Sequence, residues 1–222
     1  VDRTRMAIQG DHWFVLPYFK ESDFKALTEL VSEAIPGVSI DKKEYGTKFV
    51  YRLEYEHKKV VVSLFKSKNQ KVLIQGENSL LFQIVVSIVT ELDGNAKIEP
   101  ILSSAYRTTI DSKKIDTAFE TIYPSFPADY PDNIKRLIRQ ALINLNYYVE
   151  SEEYSQYAFP ALRALEGHMK YLITKAGGTV GRWFSGFNKD AVTGDYIYTA
   201  SLTDTRQKSQ IVKCYNYYKA VR

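Results

Sequence analysis

The chain has 222 residues, which is room for one large domain or for two of roughly 100 residues each, and we predict two. Its composition, 45% hydrophobic and 25% charged, is ordinary for a globular protein and excludes a disordered acidic tail or a disulfide scaffold. The formal net charge of +4 permits contact with nucleic acid without requiring it.

Cysteine usage and hydropathy bear on the compartment. Cys214 is the only cysteine, so no intramolecular disulfide can form. The most apolar run, Leu80 to Val89, is far shorter than the roughly 20 residues that span a bilayer. No cationic, apolar, cleavable leader begins the sequence. We therefore expect a cytoplasmic protein with no membrane segment.

Residues 12–97 predict a small α+β domain, preceded by an N-terminal extension at residues 1–11. Ser22 is placed to cap a first helix, whose apolar residues recur at helical spacing until Pro36-Gly37 ends it. A second helix is predicted from Leu80 to Leu92. One helix therefore opens this domain and another closes it.

Three short strands are predicted between these two helices, at Lys48 to His57, Val60 to Phe65 and Val72 to Gln75. In the first of them, aromatic and apolar residues alternate with polar ones, as in a strand with one buried face. Their close spacing is typical of an antiparallel meander with hairpin turns. The order of elements indicates helices packed on one face of a curved antiparallel sheet.

Residues 98–222 predict an all-helical domain, and the change of pattern after Pro100 marks the boundary. An aromatic hairpin or loop, rich in glycine, is expected near residues 179–200. Proline is tolerated in the first turn of a helix, and Pro160 is predicted to occupy that position. The expected helices are Ser112 to Tyr123, Asp132 to Val149, Pro160 to Lys175 and Asp204 to Val221.

One predicted helix brings together residues that could carry chemistry. Arg163 and Glu166 are one turn apart, so a guanidinium and a carboxylate project from the same flank. From spacing alone, a surface ion pair is the simplest interpretation. Gly167 follows, and because glycine inside a helix costs roughly 1 kcal/mol relative to alanine, it indicates close packing. No cluster of Cys, His, Asp or Glu has metal-ligand spacing, so neither metal nor cofactor is predicted.

The sequence resembles the RnlA/LsoA family, the ribonuclease toxins of RNase LS toxin-antitoxin systems. The segment Phe159-Pro-Ala-Leu-Arg-Ala-Leu-Glu-Gly-His-Met-Lys170 is similar to the family's aromatic-Pro-x-Leu-Arg-x-x-Glu-Gly helix, and Gly186 to Tyr198 resembles the Gly-Phe loop after it. Tyr215 to Arg222 is similar to the helix that brings in the family's Arg-x4-His motif, with Arg222 at its arginine. Val72-Leu-Ile-Gln-Gly76 resembles a strand of the preceding family domain.

This resemblance implies a TBP-like α+β domain followed by a HEPN-like helical ribonuclease domain. The implied reaction is metal-independent endonucleolytic RNA cleavage, in which the 2′-hydroxyl attacks the phosphodiester and leaves a cyclic phosphate. Arg163 and Arg222 would bind or stabilise phosphate, and Glu166 would orient an arginine or help to move protons. The implied partners are the RNA substrate, a proteinaceous antitoxin and a second copy in a homodimer, and the implied role is antiphage defence.

The sequence departs from the family motif at its end. The histidine expected five residues after Arg222 is not among these 222 residues, so either the intact protein continues or the domain is an inactive version. His168 forms a second Arg-x4-His spacing with Arg163, although residues five apart on a helix are rotated by about 140°. The alternative function is a non-catalytic RNA-binding or protein-interaction module. Basic and aromatic residues between Tyr45 and Lys71 would serve either function.

Overall fold

The computed structural model describes residues 11–92, 97–147, 155–180, 184, 186–200, 202 and 205–221. It confirms the predicted α+β class, because a five-stranded antiparallel sheet with helices is followed by a helical region. The predicted extension at residues 1–11 lies outside the described residues except for Asp11. Arg222 lies outside them as well.

The sheet has the strand order β1-β5-β4-β3-β2, and all neighbouring strands are antiparallel. The three predicted strands are present as β3, β4 and β5. The two edge strands were not predicted as part of the sheet; β2 is almost wholly exposed and charged, so it lacks the apolar alternation that identifies a strand. The bounds are β1 Asp11–Leu16, β2 Ser39–Tyr45, β3 Lys48–Tyr55, β4 Lys58–Phe65 and β5 Val72–Glu77.

Two helices, α1 (Glu21–Ala34) and α2 (Leu80–Leu92), belong to this half of the chain. Phe24 of α1 stacks on Tyr51 of β3, with ring centroids 4.2 Å apart, so α1 covers the inner face of the sheet. The prediction that Ser22 caps α1 is wrong, because the helix already begins at Glu21 and the Ser22 hydroxyl donates to the Asp23 carboxylate instead.

Helix α2 is the central element of the molecule. Every residue from Leu81 to Thr90 is buried, as expected for a helix that is covered on all sides. It contacts the sheet and α1 on one side and the helices of the second half on the other. The Ser79 hydroxyl accepts a hydrogen bond from the amide of Phe82 and so satisfies a donor of the first turn.

The described residues of the second half form five helices and a two-stranded hairpin. Three predicted helices are confirmed as α4, α5 and α7, and α3 was not predicted. Pro160 is inside α6 rather than in its first turn, so that prediction is wrong; the helix begins at Ser155 and loses one backbone hydrogen bond at the proline. The bounds are α3 Ile98–Tyr106, α4 Ser112–Ile122, α5 Asp132–Asn146, α6 Ser155–Lys175, β6 Phe187–Lys189, β7 Tyr196–Tyr198 and α7 Thr205–Val221.

Within the part of the chain that the structure describes, three apolar clusters hold these elements together. The largest lies between the sheet, α1 and α2 and continues through α3 to Ile115 and Ile143, past residue 97. A second joins α6, the hairpin and α7, and a third packs Tyr130 and α5 against α6. The division into domains at residues 97 and 98 stays a prediction. Among the helices of the described residues, none is both long and apolar enough to cross a membrane.

Candidate functional site

A groove of about 480 Å³ lies between the helices of the two halves. One wall comes from α1 and α2 and is mainly apolar. The opposite wall comes from α6 and α7 and carries charged and aromatic groups. Two of the three residues that the sequence singled out, Arg163 and Glu166, line this wall, and the third, Arg222, lies outside the described residues. The wall also contains Phe159, Leu162, Phe184, Tyr215, Tyr218 and Lys219.

Arg163 is held by two carboxylates from different helices. Its Nε and Nη2 donate to Glu91 of α2, with Nη2–Oε1 at 2.9 Å and Nε–Oε2 at 3.2 Å. Its Nη1 donates to Oε2 of Glu166, at 2.9 Å on the same helix. The guanidinium therefore bridges α2 and α6 with the bidentate geometry that arginine forms best with a carboxylate.

Lys170 completes a line of alternating charges. Its Nζ is 2.8 Å from Oε1 of Glu166, so both oxygens of that carboxylate accept from cations. The order is Glu91, Arg163, Glu166, Lys170, which balances two negative charges against two positive ones. The Lys170 ammonium also lies 5.3 Å from the ring centroid of Phe184, at the groove wall. We call these four residues the charge line.

Burial sets the electrostatics of the charge line. The side chain of Arg163 is 21% exposed and that of Glu166 is 13% exposed, so the expected surface ion pair is in fact largely buried. Burial by itself opposes the charge of Arg163, but the two carboxylates outweigh it and raise the pKa of the guanidinium above its usual value. Arg163 is therefore a permanent cation in the groove.

The packing of α6 explains how these side chains reach the groove. On another side of the helix, Met169 and Ile173 are fully buried in the second apolar cluster. At Gly167, an added Cβ would lie 2.9 Å from Cγ1 of Ile134, so only glycine allows α5 to approach this closely. This is the close packing that the sequence indicated. The helix is thus fixed from two sides, and its charged flank faces the groove.

His168 belongs to a different environment. Its Nδ1 is 3.0 Å from the hydroxyl of Tyr130, and its ring packs against Tyr171. Arg163 instead contacts α2, as the helical rotation between the two positions led us to expect. Burial lowers the pKa of the His168 imidazole below its ordinary value. The structure does not bring His168 to the partners of Arg163.

The sequence reasoning missed three residues of this site: Glu91, Lys170, which pairs with Glu166, and Lys219. Glu91 is separated from Arg163 by 72 positions, and no local pattern connects them. Lys219 lines the groove from α7, three positions before Arg222. The sequence did contain a signal for Lys219, because this lysine lies one helical turn before the candidate Arg222 on a predicted helix. Among the described residues, no group of three potential metal ligands lies together.

The sequence and the fold of the chain match those of a class of bacterial toxins. A family described as "RNase LS, bacterial toxin" matches residues 10–93, and one described as "RNase LS, bacterial toxin DBD domain" matches residues 108–222. The chain therefore belongs to the RNase LS toxin family, the RnlA/LsoA toxins of toxin-antitoxin systems.

The fold is also that of a solved toxin structure. The chain is similar to the Escherichia coli toxin LsoA, solved in complex with the T4 phage antitoxin Dmd, with a TM-score of 0.50 and 20% sequence identity over 96% of this chain and 84% of that chain. No curated protein sequence matches the chain. At this identity the likeness concerns the fold.

Proposed function

We propose that this chain is the RNA-cleaving toxin of a toxin-antitoxin system, a metal-independent endoribonuclease of HEPN type. The observation that carries the proposal is the groove, where Arg163, Glu166 and Lys219 converge between the two regions that match the RNase LS family. A polyanionic strand requires fixed cations at its binding site, and the groove wall provides them.

The proposed reaction needs only the RNA and protein side chains. The 2′-hydroxyl oxygen forms a bond to the adjacent phosphorus, the bond from phosphorus to the 5′-oxygen breaks, and the products are a cyclic phosphate and a 5′-hydroxyl. The 2′-hydroxyl loses its proton and the departing 5′-oxygen gains one. Arg163 and Arg222 are assigned to the negative charge that develops on the phosphate oxygens.

The contacts favour one of the two expected roles for Glu166. Both of its oxygens accept from cations, Nη1 of Arg163 and Nζ of Lys170. A carboxylate in that position orients the arginine rather than exchanging protons with the substrate. We therefore assign Glu166 as a positioning residue. Contact between Arg163 and a phosphate would use a guanidinium N–H that the contacts to Glu91 and Glu166 do not occupy, or would follow exchange of one carboxylate for a substrate oxygen.

The test is cleavage of labelled single-stranded RNA by the full-length protein in EDTA. We expect cleavage that survives the chelator and falls by at least about 100-fold in Arg163→Ala and in Arg222→Ala, the usual loss when a transition-state donor is removed. Lys113→Ala, an exposed residue of α4, is the matched control and should cleave as wild type does. Thermal melting of each variant separates lost chemistry from lost folding. Cleavage that is unchanged in both arginine variants would overturn the site assignment.

The proposal includes the partners and setting that the family suggests. LsoA was solved with an antitoxin protein, and we propose that a proteinaceous antitoxin likewise restrains this chain. We also propose a homodimer, acting in the cytoplasm on RNA during phage infection. Co-expression with the antitoxin should restore growth of cells that the toxin arrests, and light scattering of the purified toxin should give twice the chain mass.

A second candidate function is a non-catalytic RNA-binding or protein-interaction module. The observation that favours it is the bidentate pair between Arg163 and Glu91, because this pair links two helices and is a structural arrangement in its own right. This candidate predicts RNA binding without any cleavage by the full-length protein. The EDTA experiment therefore distinguishes the two functions.

A further inference from the structure

We infer that one end of the sheet is a second RNA-contacting surface, which binds single-stranded RNA through lysines and stacking aromatic rings. The hairpin segments at residues 41–48 and 65–71 form this end. They meet in space, since the amide of Lys66 donates to the carbonyl of Thr47 at 2.8 Å. We call it the lysine end of the sheet. The inference rests on the proposed function only in taking RNA as the ligand.

Charge is concentrated at the lysine end. Residues 41–48 and 65–71 contain six lysines, against the two carboxylates Asp41 and Glu44, a difference of +4 that equals the formal net charge of the whole chain. Both carboxylates already pair with lysines of the same segments, Asp41 with Lys43 and Glu44 with Lys66. The turn at the opposite end, residues 54–59, has two glutamates and two lysines. The positive charge of the sheet is therefore polarised toward one end.

Aromatic side chains lie among these lysines. Strand register places Tyr45, Lys48 and Phe65 in one row across β2, β3 and β4, and the amide of Phe65 donates to the carbonyl of Lys71, which extends the row. The Lys48 ammonium is 5.9 Å from the ring centroid of Tyr45 and 5.8 Å from that of Phe65. The row has four positions, so at about 4.8 Å per strand it extends over about 14 Å.

The row lies on the outer face of the sheet. Side chains of a strand alternate between the two faces of the sheet, and Tyr51 and Lys48 of β3 are three positions apart, so they lie on opposite faces. Because Tyr51 stacks on α1, Lys48 and its neighbours in the row project from the other face. Tyr45 is 43% exposed there. At the same end Tyr18 is 68% exposed, and its amide donates to the carbonyl of Asn69 between Lys68 and Lys71. Two large rings are thus open to solvent at the end of the sheet that carries these lysines.

This combination fits single-stranded RNA better than other polyanions. Proteins that bind single strands combine a positively charged track for phosphates with aromatic rings on which bases stack. A duplex hides its base faces, and an acidic protein surface lacks the regular series of flat rings that the bases of a single strand offer to Tyr18 and Tyr45. Two exposed tyrosines among lysines therefore select unpaired nucleotides. The surface would bind a part of the substrate strand that lies outside the groove.

The test is fluorescence anisotropy with a labelled single-stranded oligouridylate whose 2′-hydroxyls are methylated. This probe lacks the nucleophile of the proposed reaction, so binding is measured without cleavage. The full chain carries Lys48→Gln with Lys71→Gln as the test pair, or Lys58→Gln with Lys59→Gln as the control pair from the other end of the same sheet. Tyr45→Ala is compared with Tyr123→Ala, another exposed tyrosine, which lies outside both the groove and the sheet.

We expect the test pair to weaken binding about tenfold at low salt and to reduce the slope of log K against log salt by about 1.4, at about 0.7 for each phosphate contact on a single strand. Tyr45→Ala should weaken binding about fivefold or more. The controls should bind within twofold of wild type. Equal losses in test and control pairs, or a loss as large with duplex RNA, would overturn the inference.

The outcome is separable from that of the ribonuclease proposal. If the protein cleaves ordinary RNA but the lysine variants show no selective loss of binding, the proposed RNA-binding surface is wrong and the ribonuclease proposal stands. If the lysine variants lose binding selectively but the protein never cleaves RNA, the RNA-binding surface stands and the ribonuclease proposal is wrong. A protein that does not bind the probe at all overturns the inference directly.

Discussion

The guanidinium of Arg163 and the carboxylate of Glu91 form a bidentate pair across 72 residues of sequence, and this pair fastens α6 to α2. The two side chains are 21% and 17% exposed. The pair therefore has two consequences. It fixes the orientation of the groove wall, and it couples the charge of Arg163 to the stability of the fold.

Glu91→Gln should destabilise the protein, because it leaves the Arg163 cation largely buried with one carboxylate instead of two. Breaking a fully buried pair costs 3–5 kcal/mol; since this pair is partly exposed, we expect a fall of about 2 kcal/mol in the free energy of unfolding, measured by urea denaturation. Glu120→Gln, an exposed residue of α4, is the control. Combining Glu91→Gln with Arg163→Met should recover part of the loss, whereas strictly additive losses would contradict a direct interaction.

Gly167→Ala should also destabilise the protein, although alanine is the better helix former. The new Cβ would lie 2.9 Å from Cγ1 of Ile134. Overpacking costs about 1–3 kcal/mol, and helix propensity offsets about 1 kcal/mol of this, so we expect a net loss of about 1 kcal/mol in chemical denaturation. Gly46→Ala, with nothing within 4 Å of its added Cβ, should change stability little. A smaller loss in an Ile134→Val background would locate the clash, and a stabilised Gly167→Ala protein would exclude it.

Asn216→Ala should loosen the hairpin against α7. The Asn216 side chain accepts from the amide of Tyr196 at 2.7 Å and donates to its carbonyl at 2.8 Å, as a neighbouring strand would. At about 1 kcal/mol for each hydrogen bond, we expect about 2 kcal/mol less protection of the Tyr196 amide in hydrogen exchange. Asn188→Ala, which removes an exposed contact to Thr199, should leave that protection intact. Equal exchange in both variants would show that Asn216 does not hold the strand.

His168 should make stability depend on pH. Burial lowers the pKa of its imidazole below the ordinary value of 6.5, so the unfolded chain binds a proton at a higher pH than the folded protein does. The contribution of the neutral His168 imidazole to the free energy of unfolding is complete above pH 6.5. It is lost as the pH falls from there through the folded-state pKa. Melting temperatures between pH 8 and pH 5 should show this loss in the wild type and a smaller one in His168→Gln.

Carboxylates complicate the acidic end of that profile, so a second variant is needed. The Lys175 ammonium holds the pKa of Asp129 below its ordinary value, and Asp129 also accepts from the hydroxyl of Tyr171. The stability that Asp129 contributes is therefore lost only as the pH falls below the ordinary pKa of 3.8, whereas the loss from His168 begins at pH 6.5. Asp129→Asn should keep the loss that begins near pH 6.5, and a profile that is flattened by Asp129→Asn but not by His168→Gln would reassign the effect.

The sequence by itself determined the features that depend on neighbours along the chain. Alternation of polar and apolar residues identified β3, and helical spacing put Arg163 beside Glu166. The glycine at 167 indicated a close helix contact before its partner Ile134 was known. These predictions succeeded because side chains repeat every two residues in a strand and every 3.6 in a helix, so a short stretch of sequence is enough to show the pattern.

Only the tertiary structure decided what depends on distant parts of the chain. Strand β2 pairs through its backbone, which leaves no signature in its charged side chains, and α6 extends before Pro160. The ion pair that was expected at the surface is instead part of a largely buried charge line, because α2 places Glu91 against Arg163. Burial, strand order and the gathering of lysines at one end of the sheet follow from chain packing, because each needs contacts between residues that no local period relates.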